Sequence, residues 1–168
     1  MVGPALVWYR RSPSGWDRYI IEKDFLPIEA GGAAYDIDGD GDVDIIFGND
    51  YQGNHLWWWE NPYPHFDPNV PWKRHMIKNS GANQHHDQIF ADLKGLGKPQ
   101  LAFWNQGAKT IFLAEIPTDP RHTEPWPYTA IFSGSAGEGG AGAAHYAEGI
   151  DAYDIDRDGR VDLLAGNY

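Results

Sequence analysis

Two nine-residue stretches of this chain carry enough carboxylates to need a counter-ion: Asp36-Ile37-Asp38-Gly39-Asp40-Gly41-Asp42-Val43-Asp44 and Asp154-Ile155-Asp156-Arg157-Asp158-Gly159-Arg160-Val161-Asp162. Both read D-x-D-x-D-G-x-V-D. Acidic side chains at positions 1, 3, 5 and 9 of so short a loop repel one another unless a cation lies among them. Hard oxygen ligands at this density suit Ca²⁺ at two sites, with Mg²⁺ as the smaller alternative. An EF-hand would need a bidentate Glu at position 12, but that position is Phe47 in the first stretch and Ala165 in the second, both in apolar runs.

Such loops must be held by the elements on either side, and those elements recur. Each acidic stretch follows an Ala-Tyr step and runs into an apolar strand that ends in Gly-Asn. A third segment, Asp92 to Gln100, aligns with the other two and keeps Asp92, Gly95 and Gly97, with Lys94, Leu96 and Gln100 replacing carboxylates. Strands are expected before each loop (Gly32–Asp36, Gln88–Asp92, Ile150–Asp154) and after it (Val43–Gly48, Gln100–Trp104, Val161–Gly166). An aromatic strand follows (Leu56–Asn61, Thr110–Ile116), then a Trp-led strand (Trp72–Ile77, Trp126–Ile131). The chain opens with a matching last pair, Leu6–Arg10 and Trp16–Ile21.

Four strands per unit of about 60 residues is the pattern of a propeller blade. The expected fold is therefore all-β: a β-propeller segment of four-stranded antiparallel blades. The divisions are a half blade over 1–28, blades over 29–80 and 81–133, a Gly-rich loop over 133–144 and a half blade over 145–168. Known propellers close with ~4–8 blades, so the remaining blades are expected from a larger propeller or from a second copy of the chain closing a ring.

Composition narrows the partners. Eight Trp, nine Tyr, seven Phe, 20 Gly and 12 Pro suit short strands and tight turns. A net charge of −11 argues against nucleic acid and anionic membranes. The absence of cysteine rules out disulfides and zinc–thiolate sites. Met1 to Arg10 do not have the layout of a signal peptide, and no stretch approaches the ~20 apolar residues of a membrane helix.

The chain resembles the FG-GAP/VCBS family of calcium-binding propeller repeats, which are related in pattern to the integrin α-subunit propeller. The likeness rests on D-x-D-x-D-G-x-x-D, the strand and Gly-Asn that follow, and the aromatic strand ending Glu60-Asn61-Pro62. It implies that Asp36, Asp38, Asp40 and Asp44 hold one ion with the Asp42 carbonyl, and that Asp154, Asp156, Asp158 and Asp162 hold another with the Arg160 carbonyl. The ions would be structural, in a module of an exported, cell-surface or periplasmic protein that binds carbohydrate or protein ligands.

An enzymatic alternative rests on residues before the innermost strands. His85, His86, His145, Tyr146 and Glu148 are expected to meet at one mouth of a channel, with Trp104, Asn105 and Gln106 toward the opposite rim or an adjacent groove. By resemblance to carbohydrate lyases and dehydratases, His86 or His145 would act as base and Tyr146 as acid. Trp57, Trp58 and Trp59 alternate across their strand and are expected in the core on both faces of the sheet.

Overall fold

The computed structural model describes residues 6–133 and 148–166, and every regular element in them is a strand. Strands β1 (Leu6–Ser12) and β2 (Gly15–Glu22) form a two-stranded sheet. Strands β3 (Ala33–Tyr35), β4 (Asp44–Gly48), β5 (Leu56–Glu60) and β6 (Lys73–Lys78) form a four-stranded sheet in chain order. A second sheet repeats that order with β7 (Gln88–Ala91), β8 (Gln100–Asn105), β9 (Thr110–Glu115) and β10 (Tyr128–Ser133). A last pair comprises β11 (Ile150–Tyr153) and β12 (Asp162–Ala165). All pairings are antiparallel. The molecule is thus all-β, a propeller segment of two whole blades between two half blades. Among the described residues no helix is long and apolar enough to cross a membrane.

The sheets stack through their side chains, and the aromatic strand shows why. Trp57 and Trp59 of β5 face the first half blade and pack with Ile21, Trp8 and Trp72. Trp58 points the other way, into a layer with Ile46, Leu101, Phe103 and Trp126 of the two whole blades. A third layer, Ala102, Trp104, Ile111 and Leu113 with Ile150 and Leu163, joins the second blade to the last half blade. A strand buried on both faces needs apolar residues at every position, which is what Leu56–Trp59 supplies. Innermost strands β3, β7 and β11 lie side by side.

The two Trp residues expected to begin outer strands do something else. β6 begins at Lys73 and β10 at Tyr128. The Trp72 N–H instead donates to the Ile21 carbonyl at 3.0 Å, and the Trp126 N–H donates to the Ile77 carbonyl at 2.9 Å. Ile21 and Ile77 are each the extra residue where the register of an outermost strand slips. A bulge turns a carbonyl out of the ladder, and the next sheet supplies its donor. Ile131 is the equivalent bulged residue of β10, and it is 46 % exposed where Ile21 and Ile77 are 2 % and 0 %.

Asn49 and Asn105, at matching places after β4 and in β8, also act alike. Asn49 donates to the Pro27 carbonyl at 2.9 Å and accepts from the His55 N–H at 3.0 Å. Asn105 donates to the Ala82 carbonyl at 2.9 Å and accepts from the Ala108 N–H at 2.7 Å. Each ties the lead-in of its own sheet to the hairpin that follows, which gives the Asn of the Gly-Asn ending a structural purpose. Gly48 is required by close approach, because a Cβ there would sit 2.3 Å from the Cβ of His85.

Candidate metal centres

The three loops share one backbone. Position 4 has left-handed φ in each: Gly39 at 76°, Gly95 at 64° and Arg157 at 65°. Position 6 does too, at 95° for Gly41, 74° for Gly97 and 87° for Gly159. A carboxylate at position 1 holds that shape. Asp36 accepts the Gly41 N–H at 3.1 Å, Asp92 the Gly97 N–H at 2.7 Å, and Asp154 the Gly159 N–H at 3.0 Å. This explains why the middle loop keeps Asp92 and its glycines after losing its other acids.

Position 9 closes the loop. Asp44, 1 % exposed, accepts the Ile37 N–H at 3.0 Å and the Asn61 N–H at 2.8 Å. Asp162 accepts the Ile155 N–H at 2.9 Å. In the middle loop the Gln100 amide replaces the acid, accepting from the Lys94 N–H at 3.0 Å and donating to the Lys98 carbonyl at 2.7 Å.

This framework brings carboxylate oxygens together. Asp36, Asp38 and Asp40 offer oxygens within 4.8 Å of one another, and so do Asp154, Asp156 and Asp162. Asp44 serves its loop mainly through the two backbone bonds. Asp158 turns one oxygen to the Arg160 N–H at 2.8 Å. The donor set is all oxygen and suits a hard divalent cation.

The first loop also carries charge it does not neutralise well. The buried Asp42 Oδ1 has no hydrogen-bond partner. Burial, then the negative neighbours Asp40 and Asp38, push the Asp42 pKa up to about 6. Burial pushes Asp44 up to about 7 against the two backbone N–H groups that favour its charged form. Asp38 is raised by burial, and Arg121 partly offsets the rise.

Comparison with protein-family models, curated proteins and solved structures finds no match. The centre is therefore defined by its own geometry.

That geometry includes residues sequence reasoning missed. Arg121, in the loop between β9 and β10, reaches across to the first blade. Its Nη2 lies 2.6 Å from Asp38 Oδ2 and 2.9 Å from Asp40 Oδ2, and its Nε lies 3.0 Å from Glu60 Oε1. Glu60 also meets His75 Nε2 at 2.9 Å, while Nδ1 of the same ring meets Glu124 at 3.2 Å. Burial raises the Glu60 pKa, but the His75 hydrogen bond and the Arg121 and Lys73 charges outweigh it, leaving it below the usual carboxylate value. No local pattern announces this cluster, because its members are scattered from Asp38 to Glu124 along the chain.

Of the expected histidine mouth, the structure describes His85, His86 and Glu148. His86 holds Asp87 Oδ2 through Nδ1 at 2.8 Å and turns Nε2 toward Glu148 at 3.7 Å. His145 and Tyr146 lie outside the described residues, as do residues 134–144 of the Gly-rich loop. His85 is not at a mouth. It is fully buried, with Nε2 at 3.3 Å from the Asn54 carbonyl and its ring edge-on to Phe103. Asn105 is not on an opposite rim either: its amide is 3.3 Å from the His85 ring. Antiparallel pairing brings the end of β8 back beside the start of β7.

Burial, with the nearby Lys78 ammonium, pushes the His85 pKa from 6.5 down to about 3. A buried neutral base supports the fold fully above 6.5 and loses that support as pH falls from 6.5 toward 3. At about pH 5.5 the loss is about 1 kcal/mol. His85→Asn is expected to remove this share, so that its stability relative to the parent improves by about 1 kcal/mol from about pH 7.5 to 5.5. Urea unfolding at both pH values and fixed Ca²⁺ measures it, and a parallel pH dependence of the two proteins refutes it.

Proposed function

We propose that this chain is a calcium-stabilised scaffold: the propeller segment of an exported protein that presents its surface to carbohydrate or protein ligands. The observation that carries the reading is the convergence of three carboxylates in each acid-rich loop on a backbone that the position-1 and position-9 side chains already shape. An ion there neutralises like charges and joins the inner strand of a sheet to the next. Its binding energy then adds to folding energy. Millimolar calcium outside cells matches loops of this kind, which supports export. A lyase or dehydratase reading has less behind it, since Asp87, the partner of His86, is also spent on the Gly149 N–H at 2.7 Å.

At a free Ca²⁺ concentration about ten times Kd, one bound ion contributes about 1.4 kcal/mol. That corresponds to a rise of about 3–6 °C in Tm for a chain of this size. Excess EDTA is expected to reverse the rise, and Asp156→Ala to diminish it. Identical scans with Ca²⁺ and with EDTA would count against the proposal.

A further inference from the structure

The three loops solve one electrostatic problem in three ways. In the first loop, Arg121 from the following blade puts its guanidinium on the carboxylates of positions 3 and 5 and ties them to Glu60 at the end of β5. In the middle loop, position 3 is itself a cation. Lys94 Nζ lies 2.5 Å from Glu115 Oε1, and Glu115 ends β9 as Glu60 ends β5. The last loop carries Arg157 and Arg160 in its own backbone, but no lysine or arginine among the described residues forms an ion pair with Asp154, Asp156, Asp158 or Asp162. A basic group set between position 3 and the glutamate at the end of the third strand is thus an arrangement the chain builds twice, from different residues.

The geometry points to Arg121 as an internal counter-ion that competes with the divalent ion at the first loop, making the two acid-rich loops unequal. This inference rests on the calcium reading above. A calcium ion needs carboxylate oxygens at about 2.3–2.6 Å, and Arg121 Nη2 already stands against the same carboxylates, 2.6 Å from Asp38 Oδ2 and 2.9 Å from Asp40 Oδ2. The two cations exclude each other unless Arg121 moves. It is able to move, because its side chain is one-third exposed, whereas that of Asp38 is 1 % exposed. The contact at Asp38 Oδ2 is one of charge rather than aligned hydrogen bonding, since that oxygen accepts no well-directed N–H. Calcium entry at the first loop therefore releases a link between blades, while entry at the last loop displaces nothing described. The last loop fills first. The middle loop, with Lys94 fixed in place, takes no ion.

The test is calorimetric titration of the full chain, stripped of metal, with CaCl₂ alone. The parent is expected to show one tight site and a second weaker by about fivefold, the worth of a partly exposed ion pair of about 1 kcal/mol. Arg121→Gln is expected to tighten the weaker site about fivefold and leave the tight one unchanged. Asp156→Asn removes the tight site and keeps the weak one. Arg121→Lys retains the charge without the fork that spans Glu60 and two aspartates, and falls between parent and Arg121→Gln. Two equal sites in the parent, or an Arg121→Gln chain whose weaker site is unchanged or weakened, overturn the inference and leave calcium binding itself intact. Absence of binding in every chain overturns both. If Arg121→Gln does not fold, Arg121→Lys decides: an unchanged weaker site sinks the competition.

Discussion

Trp58→Ala is expected to cost about 3–5 kcal/mol, the range for truncating a large aromatic in a packed core. Trp58 is completely buried in the layer that joins the two whole blades. Its ring stacks on His75 with centroids 4.3 Å apart and planes inclined by 13°. The truncation therefore leaves a void and also removes the surface that seats His75 between Glu60 and Glu124. Trp58→Phe should cost less than half as much, because the indole N–H it deletes is buried without a partner in the parent. Urea unfolding followed by circular dichroism measures both. A Trp58→Ala chain within about 1 kcal/mol of the parent would show that the inter-blade layer is not where the stability resides.

Asp44→Ala comes next, at about 2–4 kcal/mol. Two backbone donors, the buried one of Ile37 and the half-buried one of Asn61, lose their acceptor together. Each orphaned group costs about 1–3 kcal/mol when water cannot replace the partner. Asp44→Asn keeps one acceptor oxygen but turns an NH₂ toward a second N–H, so it should recover only part of the loss. Asp162→Ala gives the internal comparison. Asp162 accepts one N–H in a more exposed setting, and its removal in EDTA should cost about 1 kcal/mol. Equal losses at Asp44 and Asp162 would mean that burial of the bonded groups is not the deciding quantity.

The elements were legible because apolar and aromatic runs alternate with Gly, Pro and Asp turns. All twelve expected strands are present, with ends displaced by two residues or fewer. The loops were legible from the spacing of Asp36 to Asp44 and of Asp154 to Asp162. Partners distant in the chain were not legible. Nothing near Arg121 in the sequence says that it will rest on Asp38, and nothing near Trp72 says that its amide will serve Ile21. Such contacts depend on how sheets stack, which no local pattern encodes. His85 misled for a related reason. A histidine in a polar run reads as surface, but Gly48 leaves room for it to enter the core.

The amides of Trp72 and Trp126 also give the stack a direction. The first whole blade offers a donor backward and a bulged carbonyl forward, so its two sides are unlike surfaces. Contacts between unlike surfaces are heterologous: repeated by a constant rotation, they continue until the ends meet or else wind on as a helix. Curvature in such an assembly is a property of each junction, and a tryptophan amide recurs at the junctions that follow β2 and β6.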